Sequence, residues 1–272
     1  MTASEKVDLR ASVRANREQA PGFWRMSLHA PALARRFRPG QFFQLRIHPD
    51  SGLPLLRRPF APSEVTKTGF AFVYAVVGDG TEAMTRLTKG ADVQVLGPLG
   101  TAWPLPRVGS RAVLVGGGCG TPSLRCLGEV LADRGVKVAV VLGAQTACTL
   151  LEKAAFKRIA TTVAVSTDDG SEGFHGHAVD ATRALLDELG PRPKPTLYGC
   201  GPQVMLAGLA ALAAQRDLRC YVSLEERMAC GFGACMGCAV PIQADTPEGY
   251  VYQRVCTEGP VFDAQEVVWD AV

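Results

Sequence analysis

The sequence predicts an antiparallel β-barrel, then a parallel α/β domain, and a small subdomain at the C-terminus. Short runs of alternating apolar and polar residues, separated by Gly and Pro, fill residues 7–100. Continuous apolar runs that alternate with helical stretches follow over residues 107–222, and the last fifty residues hold four cysteines and little periodicity. We therefore expect domains at residues 1–104, 105–222 and 223–272.

Five short segments predict the barrel. Apolar and polar residues roughly alternate in each of them, which is the period of two that half-buried strands show. A short helix, TEAMTRL, is expected to interrupt the strands. The five segments are VDLRASVRA, FWRMSLHA, GQFFQLRIH, GFAFVYAVV and ADVQVLG.

A Pro-rich joint, WPLPRVGS, leads into the predicted α/β domain. There, β-branched apolar runs alternate with amphipathic stretches, which is typical of βαβ units on a parallel sheet. The predicted strands are AVLV, KVAVVLGA, TTVAVST, PTLYG and RCYVSL, and the predicted helices are SLRCLGEVLADR, AVDATRALLDEL and QVMLAGLAALAAQR.

The composition indicates a folded globular chain with neither a nucleic-acid nor a membrane partner. Of the 272 residues, 47% are hydrophobic, and 29 basic against 26 acidic residues leave a formal charge of +3 without a Lys/Arg block. The start, MTASEKVDLR, lacks the apolar core of a signal peptide, and no apolar run approaches the ~20 residues of a membrane span. We expect a cytoplasmic protein, in which nine cysteines favour metal binding, catalysis or burial over disulfides.

Three cysteines and three glycines crowd into CGFGACMGC, residues 230–238. Cys230, Cys235 and Cys238 follow the spacing C-x4-C-x2-C and Cys256 lies farther on, as in plant-type [2Fe–2S] ferredoxins. The glycines permit a sharp turn with positive φ that aims backbone N–H groups at sulfur. Structural zinc usually takes two short cysteine pairs, and Cys256 has no such mate. The spacing thus favours an iron–sulfur cluster, with structural zinc and buried free thiols as alternatives.

Five further cysteines lie outside this loop. We expect four of them to pack as small apolar side chains at core positions or strand ends. The exception is Cys200, in YGCGP, which is the candidate catalytic residue. The other four are Cys119, Cys126, Cys148 and Cys220.

Two glycine turns in the α/β domain predict a nucleotide site. The run in AVLVGGGCGTPSL follows a buried strand and precedes a helix, so a phosphate can approach bare backbone there. YGCGP is a second glycine turn, at the carboxyl end of a later strand, where ligands of open α/β sheets bind. We expect Thr121 as the N-cap and Pro122 as the first residue of the helix. The candidates are Gly116, Gly117, Gly118, Gly120, Gly201 and Pro202, and a glycine turn without a ligand is the alternative.

Two polar stretches bear on the choice of nucleotide and metal. Asp168 and Asp169, in STDDGS, favour NAD over NADP if one of them lies near a ribose hydroxyl, although a plain turn explains them equally well. His175 and His177, in FHGH, have no carboxylate or cysteine at metal-ligand spacing, so we expect a polar loop there.

The barrel also contains candidate ligand-binding stretches. LRRPFAPS offers two arginines whose planar forks suit phosphate, next to an aromatic ring that suits a flat ring system, and VVGDGT offers bare backbone. A solvated arginine pair is the alternative interpretation. The candidates are Arg57, Arg58, Pro59, Phe60, Ala61, Gly78, Gly80 and Thr81.

The order of these parts resembles the ferredoxin–NADP reductase superfamily, whose barrel binds FAD and whose α/β domain binds the nicotinamide cofactor. More closely, SLEERMACGFGACMGCAV (223–240) with YQRVCTEGPVF (252–262) resembles the electron-transfer subunits of NAD-dependent dihydroorotate dehydrogenases. The likeness covers essentially the whole chain. It implies an FAD-binding antiparallel barrel, a parallel-sheet NAD-binding domain and a small C-terminal [2Fe–2S] subdomain.

The resemblance implies three sets of cofactor residues, with two departures from the family pattern. Pro122 stands one residue earlier than the usual proline, and Ala61 replaces a Ser or Thr whose hydroxyl can hydrogen-bond the flavin. FAD binding then depends on backbone and arginine contacts. The sets are Cys230, Cys235, Cys238 and Cys256 for the cluster, Arg58, Gly78, Gly80 and Thr81 for FAD, and Gly116, Gly118, Gly120, Cys200, Gly201 and Pro202 for NAD.

The resemblance also implies that the chain is half of an enzyme. Its catalytic partner would oxidise dihydroorotate at an FMN, and electrons would cross the cluster and FAD to NAD⁺, in pyrimidine biosynthesis. FAD stands in the middle because nicotinamide exchanges a hydride whereas a cluster passes single electrons. We expect a heterotetramer of two copies of each subunit, in contact through Phe232, Ala234 and Met236. The alternatives are a subunit of an NADPH–ferredoxin oxidoreductase, sulfite reductase or hydrogenase, and a zinc-stapled interaction protein.

Overall fold

The computed structural model describes residues 6–48 and 54–272, and a seven-stranded antiparallel sheet forms its N-terminal part. The strand order is β4-β3-β7-β1-β2-β6-β5. The strands are β1 (Val7–Ala20), β2 (Phe23–His29), β3 (Phe42–Arg46), β4 (Arg58–Phe60), β5 (Glu64–Thr66), β6 (Gly69–Ala75) and β7 (Asp92–Leu99), and the accompanying helices are α1 (Pro31–Ala34) and α2 (Asp79–Thr85).

Aromatic side chains fill the interior of this sheet and bend it into a barrel. Phe43 of β3 and Phe72 of β6 are fully buried in one core. The ring of Phe60, on the edge strand β4, stacks on Phe72 with 4.6 Å between ring centroids. This contact brings one edge of the sheet against β6, near the opposite edge, so the rolled sheet encloses its aromatic core.

The sequence predicted most of these elements. Each of the five predicted segments contains a strand, and α2 overlaps the predicted TEAMTRL helix. Strands β4 and β5 were not predicted, because Pro59 and Pro62 interrupt the alternation on which the prediction depended.

The second sheet also has seven strands, in the order β11-β10-β9-β8-β12-β13-β16. All its neighbours are parallel except β16, which runs antiparallel to β13 at the edge. The chain starts in the middle at β8, builds one side through β9 to β11, and returns to the other side at β12. Its strands are β8 (Arg111–Gly117), β9 (Lys137–Ala144), β10 (Thr162–Thr167), β11 (Phe174–His175), β12 (Thr196–Cys200), β13 (Cys220–Ser223) and β16 (Val261–Asp263).

Helices cover both faces of the second sheet, because successive residues of its strands alternate between two cores. Leu114 of β8 is buried with residues of α3, whereas Val113 and Val115 are buried with residues of α5 and α6. The three predicted helices are confirmed; α4, seven residues long, is too short to show a clear helical period. The helices are α3 (Ser123–Asp133), α4 (Lys153–Ile159), α5 (Ala178–Leu189) and α6 (Gln203–Gln215).

The C-terminal segment leaves the second sheet after β13 and returns to it at β16. In between, β14 (Ala239–Gln243) and β15 (Tyr250–Arg254) form an antiparallel hairpin. Val240, Val255 and Phe262 are buried in one core with Phe42 and Leu99 of the first sheet. Hydrophobic packing therefore joins the cysteine-rich segment to both sheets. Within the described residues, no helix is both long and apolar enough to cross a membrane.

Candidate functional site

The cysteine loop spans the connection from β13 to β14, and strand pairing brings the fourth cysteine to it. Ala239 lies opposite Arg254 in the hairpin register, and the Val255 N–H donates to the Cys238 carbonyl at 2.9 Å. Cys256 follows directly. Cys238 and Cys256, far apart in sequence, are therefore neighbours, and each is 1% exposed.

The four thiols form two pairs. The Sγ atoms of Cys230 and Cys235 lie 3.4 Å apart, and the Cys256 thiol hydrogen-bonds with Cys238. The first pair is half-buried and the second is buried. Among the described residues, no three His, Cys, Asp or Glu side chains are grouped around a single metal-ion position.

Backbone N–H groups point at the sulfur atoms, as the glycine content predicted. Burial opposes ionisation of Cys230, but hydrogen bonds from the N–H groups of Phe232, Cys235 and Ala234 outweigh it and lower the pKa of the thiol to about 6. A further N–H, from Gly233, donates to Cys256, but burial and the neighbouring Cys238 outweigh it and raise the pKa of that thiol to about 12. The loop is thus folded to stabilise negative charge on the Cys230 sulfur.

Arg254 holds the cysteine loop through its backbone. Its guanidinium donates to the Gly233 carbonyl at 2.8 Å and forms a bidentate ion pair with Glu258. Hydrogen bonds with Arg254 hold the pKa of Glu258 at about 2, although burial opposes this shift. The pairing fixes the direction of the guanidinium, so that one N–H remains for the loop backbone.

The two glycine turns of the second sheet pack against each other. A Cβ on Gly120 would lie 2.5 Å from the Gly201 nitrogen, and one on Gly201 would lie 2.9 Å from the Gly117 nitrogen. On Gly116 it would lie 2.6 Å from Thr121 Oγ1. Only Gly118 of this run, with φ +49°, has open space at its Cβ position. Most of these glycines are therefore needed for close contact, and only Gly118 has room for a side chain.

The predicted start of α3 was wrong. Thr121 has helical dihedral angles, φ −54° and ψ −49°, and ends a short 3₁₀ turn over Gly118–Gly120. The N-cap position is Pro122, without a side-chain capping bond, and the α-helix begins at Ser123. The 3₁₀ turn leads directly into the helix, so the backbone never takes the extended conformation that an N-cap threonine needs.

A cleft runs along the carboxyl ends of the strands, on both sides of the Gly118 turn. The cavity on one side has a volume of about 320 Å³, and that on the other side about 560 Å³. Gly117, Gly118 and Pro202 line both. The cleft lies between β8 and β12, where the strand order reverses, which is where open α/β sheets bind dinucleotides.

The larger cavity contains a carboxylate and a histidine that the sequence did not connect. Asp168 and His177 line it, with Asp168 Oδ1 3.2 Å from His177 Nδ1. The prediction of a polar loop at FHGH missed this carboxylate, because strand pairing rather than sequence spacing brings the two together. Asp169 instead accepts hydrogen bonds from Ser171, which lower its pKa, within its own turn.

Cys200 lies at the end of β12, behind the Gly120 turn. It is 2% exposed, and its sulfur accepts a hydrogen bond from Ser123 Oγ at 3.1 Å. Burial, followed by the charge of Glu225, raises its pKa to about 12, so the thiol is neutral at physiological pH. Glu225 lines the smaller cavity, and desolvation raises its pKa as well. Glu225 was not singled out from the sequence, although it lies in the SLEERMACGFGACMGCAV segment that carries the family resemblance.

The remaining free thiols follow the prediction only in part. Cys126 and Cys220 are buried as expected. Cys119 is half-buried and Cys148 is exposed, so the prediction of core packing is wrong for Cys148. It lies within the β9–α4 connection, in a 3₁₀ turn over Ala147–Thr149, and its sulfur contacts Thr146 Oγ1 at 2.9 Å.

In the first sheet, Arg58 and the GDGT turn lie together. The Arg58 guanidinium covers Gly80 so closely that any Cβ there would overlap it. Thr81 Oγ1 accepts hydrogen bonds from the N–H groups of Val77 and Gly78, so its side chain holds the turn. Arg57 forms a bidentate ion pair with Asp8, at 2.8 and 3.2 Å.

The residues after Arg58 line the edge of the barrel. Phe60 is half-buried, with one ring face on Phe72. Ala61 packs against the core shared by the second sheet and the cysteine segment. Pro59 lies opposite Gln44 of β3. The predicted flavin strand therefore contacts the other two parts of the molecule.

The apolar residues of the cysteine loop face outward. Phe232 is 45% exposed and Met236 is 58% exposed, and Ala234 is exposed as well. Their exposure leaves an apolar surface directly over the two cysteine pairs.

The architecture first defines a class of protein. A solved structure described as the NADH-dependent reduced ferredoxin-NADP oxidoreductase, studied for flavin-based electron bifurcation, superposes with a TM-score of 0.83 and 28% identity, covering 96% of this chain and 90% of the other. The ferredoxin reductase in carbazole 1,9a-dioxygenase shares the fold, with a TM-score of 0.68 and 20% identity over 80% of this chain and 68% of that one. The fold is that of the ferredoxin-reductase-like oxidoreductases.

Sequence similarity then identifies the particular family. A family model, the iron-sulfur cluster binding domain of dihydroorotate dehydrogenase B, matches residues 225–268. A relative from Desulforamulus reducens is 38% identical over 254 residues, 92% of this chain and 94% of the relative, and one from Bacillus caldolyticus is 39% identical over 263 residues, 95% and 98%. Both are named dihydroorotate dehydrogenase B (NAD(+)), electron transfer subunit. The chain belongs to this family.

Family membership confirms several predictions made from the sequence. The resemblance, the fold class, the oxidoreductase class and the role as an electron-transfer subunit are all confirmed. So is the cofactor set of FAD, a [2Fe–2S] cluster and NAD. An electron-transfer subunit also implies a catalytic partner subunit.

Proposed function

We propose that this chain passes electrons from the FMN of a dihydroorotate dehydrogenase catalytic subunit to NAD⁺, in pyrimidine biosynthesis. Dihydroorotate is oxidised on the partner, and the chain described here binds the cofactors that connect that reaction to NAD⁺. Two copies of each subunit form the assembly. The cytoplasm is its proposed location, since a reducing compartment suits nine cysteines that form no disulfide among the described residues.

One continuous segment is the observation that carries this proposal. Leu224, Glu225 and Glu226 line the nucleotide cleft, and Cys230 opens the cysteine loop four residues later. A cleft for a hydride carrier and a loop for a single-electron carrier thus share one stretch of chain. That arrangement suits a protein that converts one kind of electron transfer into the other.

The cysteine pairs suit a [2Fe–2S] cluster, which holds two irons with two protein ligands each. Cys230 and Cys235 would hold one iron, and Cys238 and Cys256 the other. The N–H groups aimed at sulfur favour the thiolates that iron requires. Structural zinc usually takes two short cysteine pairs in the sequence, whereas Cys256 has no such mate.

Arg58 and the GDGT turn suit the phosphates of FAD. A guanidinium next to the bare backbone of Gly78 and Gly80 offers charge and N–H donors together, with Thr81 holding the turn. Pro59, Phe60 and Ala61 continue from Arg58 along the same barrel edge. Arg57 has its own partner in Asp8, so we assign the phosphate contact to Arg58. Bound FAD supplies the exchange between hydride and single-electron chemistry.

The cleft of the second sheet suits NAD. The turn residues Gly116 to Gly118, with Gly120, Gly201 and Pro202, present bare backbone for a pyrophosphate. Asp168, in the larger cavity, would accept hydrogen bonds from ribose hydroxyls and repel a 2′-phosphate, which favours NADH over NADPH. The neutral Cys200 would border the nicotinamide. We also retain the division into residues 1–104, 105–222 and 223–272 as part of this proposal.

Reconstitution tests the function. The anaerobically purified chain should contain about one FAD and one [2Fe–2S] cluster and should pass electrons from NADH to dyes without oxidising dihydroorotate. Co-expression with an FMN-containing dihydroorotate dehydrogenase should give a complex that reduces NAD⁺ with dihydroorotate. Stoichiometric zinc without iron and sulfide would reject the proposal, as would dihydroorotate oxidation by the isolated chain. Turnover with another partner alone would favour the other electron-transfer complexes.

The exposed loop residues test the contact with the partner. Phe232→Glu or Met236→Glu should weaken the complex, since a buried unpaired charge is costly, and should leave dye reduction intact. Val108→Glu is a matched control, because Val108 is 70% exposed in the turn before β8. If both loop variants assembled normally with the partner, the interface would have to lie elsewhere on the chain.

A further inference from the structure

Gln44 is a buried polar side chain at the contact between the barrel and the cysteine loop. It is 0% exposed, at the middle of β3. Its Nε2 lies 3.5 Å from the Met228 sulfur, and its Oε1 is buried without a hydrogen-bond partner among the described residues. Gly231 lies against the amide so closely that a Cβ there would be 2.6 Å from Cδ and 2.7 Å from Cγ of Gln44.

The position of Gln44 connects the two predicted electron-carrier sites. Its neighbours Phe43 and Leu45 face the barrel core, so Gln44 faces the opposite side, towards the cysteine loop. Across the ladder it is paired with Pro59 of β4, the strand that begins with Arg58. The amide thus lies between the proposed flavin strand and Gly231, the residue next to Cys230.

Neither the buried Gln44 amide nor Gly231 increases the stability of the folded chain. A buried carbonyl oxygen without a donor costs free energy, and an apolar side chain could fill the same space. Gly231, with φ +75°, adds the conformational freedom of a glycine in the unfolded chain. Local features that lower stability and meet at one point are expected where function requires them.

We propose that Gln44 is a positioning residue, which seats the Cys230–Gly231 turn against the flavin strand and so sets the geometry for electron transfer between FAD and the cluster. The inference rests on the proposed cofactor sites. The flat amide lets the Gly231 backbone approach closely, and its NH₂ group faces the Met228 sulfur. Its carbonyl oxygen remains as an acceptor at this boundary. Gln44 itself neither gains nor loses electrons.

Removal of the amide gives the first test. In Gln44→Leu, reduction of the flavin by NADH should stay within about twofold of the unaltered chain, whereas the following reduction of the cluster should slow by about tenfold, as for other residues that support metal ligands. The EPR spectrum of the dithionite-reduced cluster should change as well. Gln41→Leu is the matched control, because the Gln41 amide bonds to Arg38 and Gly100 and not to the loop. It should leave the cluster spectrum unchanged.

A double-variant cycle tests the contact itself. Gly231→Ala should displace the loop from β3 and change the EPR spectrum, since the new Cβ would collide with Gln44. Truncation by Gln44→Ala removes that collision, so Gly231→Ala with Gln44→Ala should resemble Gln44→Ala more closely than Gly231→Ala. This rescue does not require Gln44→Leu to fold. Independent, additive spectral changes would show that the two residues do not act together.

The outcomes separate this inference from the proposed function. A cluster in the unaltered chain with an unchanged spectrum and rate in Gln44→Leu would overturn the role of Gln44 alone. Equal slowing of flavin and cluster reduction would also overturn it, by assigning the amide to the barrel. Absence of the cluster signal from the unaltered chain would overturn both.

Discussion

Gly120 and Gly201 hold the two nucleotide turns backbone against backbone, whereas Gly231 and Gly233 turn the cysteine loop through positive φ and contact side chains. A Cβ on Gly120 would overlap the backbone of the other turn. Gly231 and Gly233, with φ of +75° and +94°, instead approach side chains, those of Gln44 and Thr257. The first group makes a cleft possible by bringing two strand ends together, and the second lets N–H groups surround sulfur.

The difference shows that one compositional signal can meet two physical needs. In the nucleotide turns, a side chain at a position such as Gly120 would collide with neighbouring atoms, whether or not that position touches the ligand. In the cysteine loop, a substitution of Gly231 or Gly233 is unfavourable because it would disturb both the positive-φ backbone and the N–H groups that bond to sulfur. Variants can therefore separate the two regions.

The largest expected effect is on the cysteine loop. Cys235→Ser should abolish the [2Fe–2S] EPR signal, because it removes one thiolate of the Cys230–Cys235 pair and leaves one iron with a single sulfur ligand. FAD content and dye reduction by NADH should persist, since Arg58 and Gly80 lie in the other part of the chain. Loss of both cofactors together would show instead that the cysteine segment organises the whole fold.

The nucleotide turns should respond sterically. Gly120→Ala should lower the free energy of unfolding by about 1–3 kcal/mol, as overpacking does, and weaken NADH binding. Gly118→Ala has open space and should lose about 1 kcal/mol from its positive φ alone. Urea unfolding and NADH titration measure both. A greater loss of stability in Gly118→Ala than in Gly120→Ala would contradict the packing of the turns.

Nucleotide preference should respond to one aspartate of the pair. Asp168→Asn should narrow the NADH:NADPH ratio of kcat/KM by roughly tenfold, corresponding to about 1.4 kcal/mol of lost discrimination. Asp169→Asn is the control, because Asp169 bonds to Ser171 in its own turn and should not affect the ratio. Steady-state dye reduction gives both values. Equal kcat/KM for NADH and NADPH in the unaltered chain would refute the preference itself.

The smallest expected effect is on thiol labelling. Among the cysteines outside the cluster, we expect only one to react quickly with a thiol reagent. Burial raises the pKa of Cys200 to about 12, so its reactive thiolate is scarce at pH 8 and increases only as the pH approaches that value. Cys148 is exposed and should react first. Mass spectrometry should find the fast label lost in Cys148→Ser and retained in Cys126→Ser. A fast reaction at Cys126 would indicate that α3 opens readily.

Local patterns in the sequence predicted most of the fold. Alternation and apolar runs located the longer strands of both sheets, since those patterns reflect which faces are buried. They failed at β4, where prolines break the alternation, and at α4, which spans seven residues. The prediction of Thr121 as the N-cap of α3 was wrong, because a 3₁₀ turn precedes it, and that turn depends on contact with the Cys200 turn.

The site was predictable where its residues are close in sequence. The spacing of Cys230, Cys235 and Cys238 marked the cysteine loop, and its glycines implied N–H groups directed at sulfur. Contacts made by tertiary folding carried no such signal: Asp168 with His177, and Gln44 with Gly231. Such pairs depend on strand order and on packing between distant segments, which spacing does not encode.

The return of the chain to the second sheet at β16 makes the cysteine segment an exchangeable unit. Its two ends, after Ser223 and before Val261, lie on paired strands, and neighbouring strands are ~5 Å apart. A segment whose ends are that close can be replaced without moving the sheet that supports it. A transplant of residues 224–260 between subunits that share this sheet edge must therefore keep only Leu224 to Glu226 in the nucleotide cleft and the packing against Phe42 and Leu99. It would then connect one nucleotide-binding core to a different electron acceptor.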